Sequence, residues 1–171
     1  MVAIGPFSDY TYRQVKIRSI HCKCKNVTEA YAGLYICLSL KNINRSEVKK
    51  GMVVVSDTPD CKIVKKEFMA IVHILHSPTT IRVGYQPFVH VDQIRQSVRI
   101  IHIDKLNQII SSDKNTDTNQ DIHINEDNNI LRTGDRANVK FEFVSKPEYI
   151  KPDMKLIFRE GKVKAVGKVI E

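Results

Sequence analysis

The chain has 171 residues, of which 42% are apolar and 27% are charged, and its formal charge at pH 7 is +8. This apolar content is enough for a packed core and excludes a generally disordered chain, and no apolar run approaches the roughly 18 residues that a membrane helix needs. The first ten residues lack the features of a secretory signal, so we expect a cytoplasmic protein whose four cysteines are reduced.

The positive charge is unevenly distributed along the chain. Residues 111–131 contain five acidic residues and one basic residue, whereas the rest of the chain carries a formal charge of about +12. This excess of positive charge outside residues 111–131 favours a partner that bears phosphate groups. A lysine-rich composition that only keeps the protein soluble explains the charge equally well.

The first third of the chain has the pattern of short strands separated by turns. Alternation of apolar and polar residues predicts strands at 2–4, 15–25, 34–41 and 52–55, the third of them half-buried. Asn44 and Glu47 have the spacing of a helix capping box, which predicts one helical turn. A turn cluster at residues 57–60 is the expected domain boundary.

The residues beyond this boundary also predict strands. These strands are expected at 67–76, 83–91, 97–103 and 137–145. Between the last two, residues 111–131 are rich in Asp, Asn and Thr and almost without apolar anchors, which predicts a disordered polar loop. We expect residues 111–129 of it to be mobile and dispensable.

The last eighteen residues, 154–171, predict a β-hairpin that completes a sheet or barrel begun earlier. Apolar residues alternate with Lys and Arg on both sides of a break at Glu160-Gly161. Gly161 can adopt the positive φ of a tight turn, and Gly167, inside the second strand, indicates a bulge or a close backbone approach. Because nearly every element is a short strand, the predicted fold class is all-β, a barrel or a sandwich.

The sequence shows no pattern of catalytic or cofactor-binding residues. The nearest match to a phosphate-binding loop, at Gly167-Lys168, has the wrong spacing and no hydroxyl residue. His21, Cys22 and Cys24 resemble half of a zinc site, but no second pair with ligand spacing follows, so ordinary strand residues are the preferred interpretation. We expect no metal, no cofactor and no small-molecule substrate for this chain.

Three stretches, in this order, resemble the C-terminal part of elongation factor Tu superfamily GTPases. Residues 32–53 resemble the end of the family's second domain, Gly84-Tyr85-Gln86-Pro87 resembles a motif in its third domain, and residues 133–135 and 158–167 resemble the end of the third domain. Residues 45–53 and 158–162 are most similar to the GTP-binding protein one-like subgroup. The Ile-, Asn- and Lys-rich composition is compatible with a giant-virus homologue.

The resemblance implies two consecutive antiparallel β-barrels. Residues 1–57 would form a second-domain-like barrel that is incomplete, because a closed six-stranded barrel of this type needs roughly 80–90 residues and only about 57 precede the boundary. Residues 62–171 would form a third-domain-like barrel that is closed. It also implies a longer parent protein that hydrolyses GTP in an N-terminal domain. GTP and Mg²⁺ belong to that domain, so this chain is not expected to be an enzyme.

The resemblance further implies a set of RNA-contacting residues. Arg159, Glu160 and Gly161 match a turn that lies against the T-stem backbone of tRNA, and Lys162 adjoins it. Ser97 falls where a hydroxyl residue makes a similar contact. A charged side chain and a glycine amide at an exposed turn suit phosphate and ribose contacts, although a plain hairpin turn is the alternative.

The sequence is compatible with two functions. The first is a non-catalytic module that binds tRNA or another structured RNA, the ribosome and its own GTPase domain, and the second is a protein-interaction scaffold that does not bind RNA. His21 stands where the bacterial factor has an acidic residue near the aminoacyl end of tRNA, which leaves a different partner open. No membrane partner is expected. We also expect a fragment of a longer protein in which residues 5–13 are displaced or poorly ordered.

Overall fold

The computed structural model describes residues 1–106 and 129–171. In these ranges it contains thirteen β-strands and two short 3₁₀ turns, at Arg45–Glu47 and Pro59–Cys61, which confirms the all-β prediction. The strands are β1 Val2–Gly5, β2 Arg13–Cys22, β3 Lys25–Val27, β4 Ile36–Lys41, β5 Val53–Ser56, β6 Glu67–His76, β7 Ile81–Arg82, β8 Phe88–Val91, β9 Ile94–Lys105, β10 Ile130–Leu131, β11 Arg136–Phe143, β12 Lys155–Glu160 and β13 Val163–Val169.

The chain divides into two compact units. Unit 1 comprises Met1–Lys65 and Lys146–Ile150, and unit 2 comprises Lys66–Ser145 and Lys151–Glu171. Residues 146–150 therefore return to unit 1 and do not belong to the predicted second domain at 62–171. The return is held by backbone hydrogen bonds of 3.0 Å in both directions between Lys65 and Glu148.

Unit 2 contains a closed six-stranded antiparallel barrel. Its strand order is β11-β6-β13-β12-β8-β9, so every strand is paired on both edges. Alternate residues point inward, and the ring of Phe68 packs between Phe141 and Phe143 with centroids 5.3 and 5.1 Å apart. All three rings are buried. The strands predicted in the second part of the chain therefore form a closed barrel, as predicted.

The terminal hairpin closes this barrel. β12 and β13 pair from Lys155 opposite Lys168 to Glu160 opposite Val163, and Gly161 has a φ of +54°. A Cβ on Gly167 would lie 2.4 Å from the backbone oxygen of Ile71, which confirms the predicted close approach. This approach brings β13 against β6.

Unit 1 is an open sheet in the described residues. Its order is β3-β2-β1-β5, with β4 also paired to β2, and these five strands do not close on themselves. Its core is small: Ile4, Phe7 and Val15 are buried, with Leu40 and Met52 partly buried against them. Unit 1 is therefore not a closed barrel in the described residues.

Two local predictions for unit 1 were wrong. Residues 5–13 are not displaced, because Phe7 is buried and its N–H donates to the carbonyl of Thr11 at 3.0 Å, forming a compact turn. Residues 15–25 are not one strand. Lys23 and Cys24 have φ of +50° and +62°, so they form a two-residue turn between β2 and β3. This turn contains neither Gly nor Asn, the residues that usually mark it in a sequence.

Other local predictions met mixed outcomes. The capping box at Asn44 and Glu47 is present, but it opens a 3₁₀ turn rather than an α-helical one. The expected half-buried strand at 34–41 is β4, none of whose residues is fully buried. The predicted polar loop lies outside the described residues except for 129–131, where Ile130 and Leu131 form β10 and pair with β7.

Candidate nucleic-acid interface

The predicted contact residues lie at one end of the unit 2 barrel. Arg159 and Glu160 end β12, and Gly161 and Lys162 form the exposed two-residue turn before β13 begins. β6 ends and β8 begins at the same end of the barrel, because His76 pairs with Lys164 and Phe88 pairs with Arg159. The residues predicted from sequence therefore belong to a rim rather than to an isolated loop.

Strand alternation separates Arg159 from its neighbour Glu160. Leu156 and Phe158 point into the core, so Glu160 has the inward side of β12 while Arg159 points to solvent. Glu160 lies near Tyr85: burial raises the pKa of the Tyr85 hydroxyl, and the negative charge of Glu160 raises it further. The structure therefore does not bring Glu160 together with the outward-facing residues.

Arg159 and Ser97 lie in one row across neighbouring strands, with Phe88 between them. Arg159 is directly opposite Phe88, and Phe88 is directly opposite Ser97. On the other side, Arg159 is opposite Lys164, and Lys164 is opposite His76. Residues directly opposite in antiparallel strands share a face, with Cβ atoms about 4.5–5.5 Å apart. We name this set, His76, Lys164, Arg159, Phe88 and Ser97, the rim row.

The cations around the rim row are not balanced by carboxylates. Within residues 1–106 and 129–171, no ion pair involves Arg159, Lys162 or Lys164, and both Arg159 and Lys164 are exposed. Four lysines elsewhere on unit 2 have acidic partners at 2.6 to 3.0 Å, in the pairs Lys140–Glu67, Lys168–Asp153, Lys105–Asp135 and Lys66–Glu142, whereas Arg95 and Lys155, like the rim cations, form no ion pair within the described ranges. The rim row therefore presents positive charge to solvent.

A second outward row runs beside the rim row, two residues further along the strands. It contains Arg95, His90, Ile157, Val166 and His73, which are opposite one another in that order. Ile157 and Val166 are exposed. The outer face of the barrel next to the rim is therefore partly apolar, and a depression of about 910 Å³ on unit 2 is lined by Val166, His73, Lys155, Lys168 and Arg136 among others.

The described part of the chain offers no metal centre. It contains no group of three or more His, Cys, Asp or Glu residues arranged to hold a metal ion. His21 lies opposite Cys37, Cys22 ends β2, and Cys24 lies in the turn between β2 and β3; none of these cysteines forms a disulfide. In the same residues no helix is long and apolar enough to cross a membrane.

Three residues of the rim row, Phe88, Lys164 and His76, were not predicted from the sequence. Val89 and Val91 are buried, so the alternation along β8 places Phe88 outward. A large aromatic residue at an outward position of a predicted strand was the signal in the sequence that could have identified it. Its position between Arg159 and Ser97 depends on the register of three strands, which the sequence does not specify.

The fold and this surface define a class of protein. A closed six-stranded antiparallel barrel that follows a smaller antiparallel sheet is consistent with the second and third domains of elongation factor Tu-like proteins. The basic outward row is a surface suited to an anionic partner.

The comparisons with known proteins point to the same class. The chain is 35% identical over 169 residues to GTP-binding protein 1 of Xenopus laevis, covering 99% of this chain and 22% of that protein. It is 31% identical over 173 residues to GTP-binding protein 2 of Homo sapiens, covering 99% of this chain and 24% of that protein. It is 30% identical over 129 residues to elongation factor 1-alpha of Archaeoglobus fulgidus, covering 74% of this chain and 28% of that protein.

The chain thus spans about a quarter of the length of these curated relatives. No family model matches it. The similarities support a region of a translation-factor-type GTP-binding protein. The GTP-binding protein one-like subgroup and the giant-virus source remain predictions.

Proposed function

We propose that this chain is the non-catalytic C-terminal β-barrel module of a translational-type GTP-binding protein that acts in the cytoplasm. In this proposal the module binds tRNA or another structured RNA, contacts the ribosome, and docks on the GTPase domain of its own protein, which carries GTP and Mg²⁺. The observation that supports it best is the group of rim cations, Arg159, Lys162 and Lys164, which have no carboxylate partner in the described part of the chain, with Ser97 in the same outward row as Arg159.

The chemistry of this rim suits an RNA backbone. Arg159 supplies a planar cation with several N–H donors, and the exposed Gly161-Lys162 turn adds a second cation on a tight backbone bend. Such groups contact phosphate and ribose without reading base edges. The predicted preference is therefore for RNA shape and charge rather than for a particular sequence.

The test is a double substitution of rim cations with a charge-matched control. Arg159→Ala with Lys162→Ala should weaken tRNA binding and reduce the slope of log affinity against log salt by about 1.5, since each lost phosphate contact accounts for about 0.7–0.9. The control, Lys66→Ala with Lys140→Ala, removes the same charge from residues that have carboxylate partners. Fluorescence anisotropy at several salt concentrations measures both.

The outcomes of this test are distinct. A loss of tRNA affinity confined to the rim variant supports the proposal, whereas an equal loss of affinity in both variants indicates general attraction by net charge. Unchanged affinity and slope in the rim variant contradict the proposal. Because the substituted side chains are exposed, we expect the free energy of unfolding of either variant to lie within about 0.5 kcal/mol of the wild-type value.

The second candidate function is a protein-interaction scaffold. Unit 1 favours it, because Tyr31, Leu34, Tyr35 and Ile36 are all exposed, Tyr35 to 97%. Large exposed apolar residues close together in sequence are typical of protein-binding surfaces. Absence of RNA binding together with stoichiometric binding to the parent protein's GTPase domain would favour this function over the first.

The non-catalytic part of the proposal has its own experiment. The sequence contains neither a phosphate-binding loop nor an Asn-Lys-x-Asp guanine motif. Titration of the chain with GTP and Mg²⁺ in a calorimeter should therefore give no binding heat, and phosphate release should equal that of buffer. Micromolar GTP affinity would contradict this part.

A further inference from the structure

We propose that Phe88 is a stacking platform for an unpaired RNA base, so that unit 2 prefers RNA in which a bulged or looped-out base lies next to a duplex. This inference rests on the proposed RNA-binding function and specifies the kind of RNA that the rim row recognises. It starts from the position of one side chain, whose exposure the barrel itself does not require.

Phe88 differs from every other phenylalanine in the chain. The sequence contains six, and the other five, Phe7, Phe68, Phe141, Phe143 and Phe158, are all buried. Phe88 is 45% exposed, and no ring contact joins it to another aromatic residue of the described chain. Its ring therefore presents apolar surface to solvent without contributing to the core, and such a surface is available to a ligand.

The side chains next to Phe88 suit the phosphate and ribose of a nucleotide. Arg159 lies directly opposite Phe88 on one side and Ser97 directly opposite on the other, both with side chains on the same outer face. A base that stacks on the ring places its own phosphate and ribose beside the guanidinium and the hydroxyl. Lys164, opposite Arg159, extends the positive charge along the row for the next phosphate.

The aromatic ring determines which RNA benefits. Bases within an A-form duplex are already stacked on one another and offer only their edges, so Phe88 cannot reach a base face there. An unpaired base has a free π-face, and stacking on an aromatic side chain is tolerant of base identity. The cations of the rim contact the flanking duplex backbone, while Phe88 adds affinity only when a free base is present.

A protein partner is the competing occupant of the same surface. An exposed aromatic residue beside an arginine also occurs at protein-binding hot spots. The absence of carboxylate partners for Arg159, Lys162 and Lys164 in the described residues favours a polyanion, because a protein partner would have to present several acidic groups in one row. Binding to a protein is therefore one outcome of the test.

The experiment uses the full 171-residue chain and two RNA hairpins with identical stems, one fully paired and one with a single bulged 2-aminopurine. The wild type should bind the bulged hairpin more tightly and quench its fluorescence. Phe88→Ala should lose about 5- to 150-fold in affinity for the bulged hairpin and little for the paired one, and Phe88→Tyr should retain the preference. Ile157→Ala, at an exposed apolar position of the neighbouring row, is the matched control and should leave the preference intact.

Each other outcome contradicts the inference in a recognisable way. If the wild type binds both hairpins equally and Phe88→Ala changes neither affinity, the stacking inference is wrong while the proposed RNA function stands. If Phe88→Ala and Ile157→Ala weaken both hairpins alike, the face is a general apolar contact and stacking is again wrong. If the wild type binds neither hairpin but Phe88→Ala disrupts binding to the GTPase domain, both the inference and the RNA function are wrong. The quenching measurement on the wild type does not depend on whether any variant folds.

Discussion

Replacement of Gly167 by alanine tests the closure of the unit 2 barrel. Its φ lies outside the left-handed region, so alanine costs nothing in backbone strain, and the reduced freedom of the unfolded chain would by itself stabilise the protein by about 0.4–1 kcal/mol. The added Cβ, however, would lie 2.4 Å from the backbone oxygen of Ile71 and 3.3 Å from the Cα of Val72. Both contacts are with backbone, so β6 and β13 must separate by about 1 Å to reach ordinary contact.

We expect this separation to cost about 2–3 kcal/mol, toward the upper end of the range for overpacked sites. For a unit of about 100 residues this corresponds to a fall of roughly 10–20 °C in Tm, measurable by scanning calorimetry. Val166→Ala, at the adjacent exposed position, is the control and should change stability by about 1 kcal/mol or less. Stability of Gly167→Ala equal to or above that of the wild type would refute the close approach of the two strands.

Three further predictions concern the core and the titratable groups. Phe143→Ala should destabilise unit 2 by about 3–5 kcal/mol in urea unfolding, because the ring is fully buried. Burial raises the pKa of the Tyr12 hydroxyl to about 12. The contribution of this hydroxyl to stability is therefore present below pH 10 and is lost as pH rises through 12. Over that range the wild type should lose more stability than Tyr12→Phe. The pKa of Glu47 is lowered mainly by a hydrogen bond from the Asn44 N–H and then by one from the Arg13 side chain. The stability difference between the wild type and Glu47→Gln should therefore be largest near neutral pH and should shrink as pH falls below about 4.

A specific result would contradict each of these three predictions. A loss below 1 kcal/mol for Phe143→Ala would mean that the barrel core is not packed around that ring. Parallel alkaline profiles for wild type and Tyr12→Phe would place the hydroxyl in solvent rather than in its hydrogen bond to the Ile63 carbonyl. A difference for Glu47→Gln that grows in acid would mean that the carboxyl binds its proton more tightly in the folded state.

Most of the barrel was predictable because its strands have clear apolar patterns. β11, β12 and β13 place apolar residues inward at most alternate positions, β6 is apolar along most of its length, and Gly161 marks the turn that joins the last two strands. The turn at Lys23 and Cys24 was not predictable, since neither residue type favours positive φ. The return of residues 146–150 to unit 1 depends on long-range pairing with Lys65, which no local pattern encodes.

The candidate interface was predictable only in part. Arg159, Gly161 and Lys162 are adjacent in sequence and follow from the resemblance, as does Ser97. Their relation to Phe88 follows from the pairing of β12 with β8 and of β8 with β9, and a shift of one residue in either register would place Phe88 on the other face. Register is set by the whole closed barrel, so the row could be recognised only in the folded structure.

The most direct test of the central claim, that the rim row is an RNA-binding surface, is ultraviolet crosslinking of the chain to tRNA followed by mass spectrometry of the peptides. The account predicts crosslinks at Phe88 and within residues 159–164, and their loss in the variant that carries Arg159→Ala and Lys162→Ala. Crosslinks confined to unit 1 or to β11, where Lys140 is paired with Glu67, would contradict it, as would the absence of crosslinks at low salt.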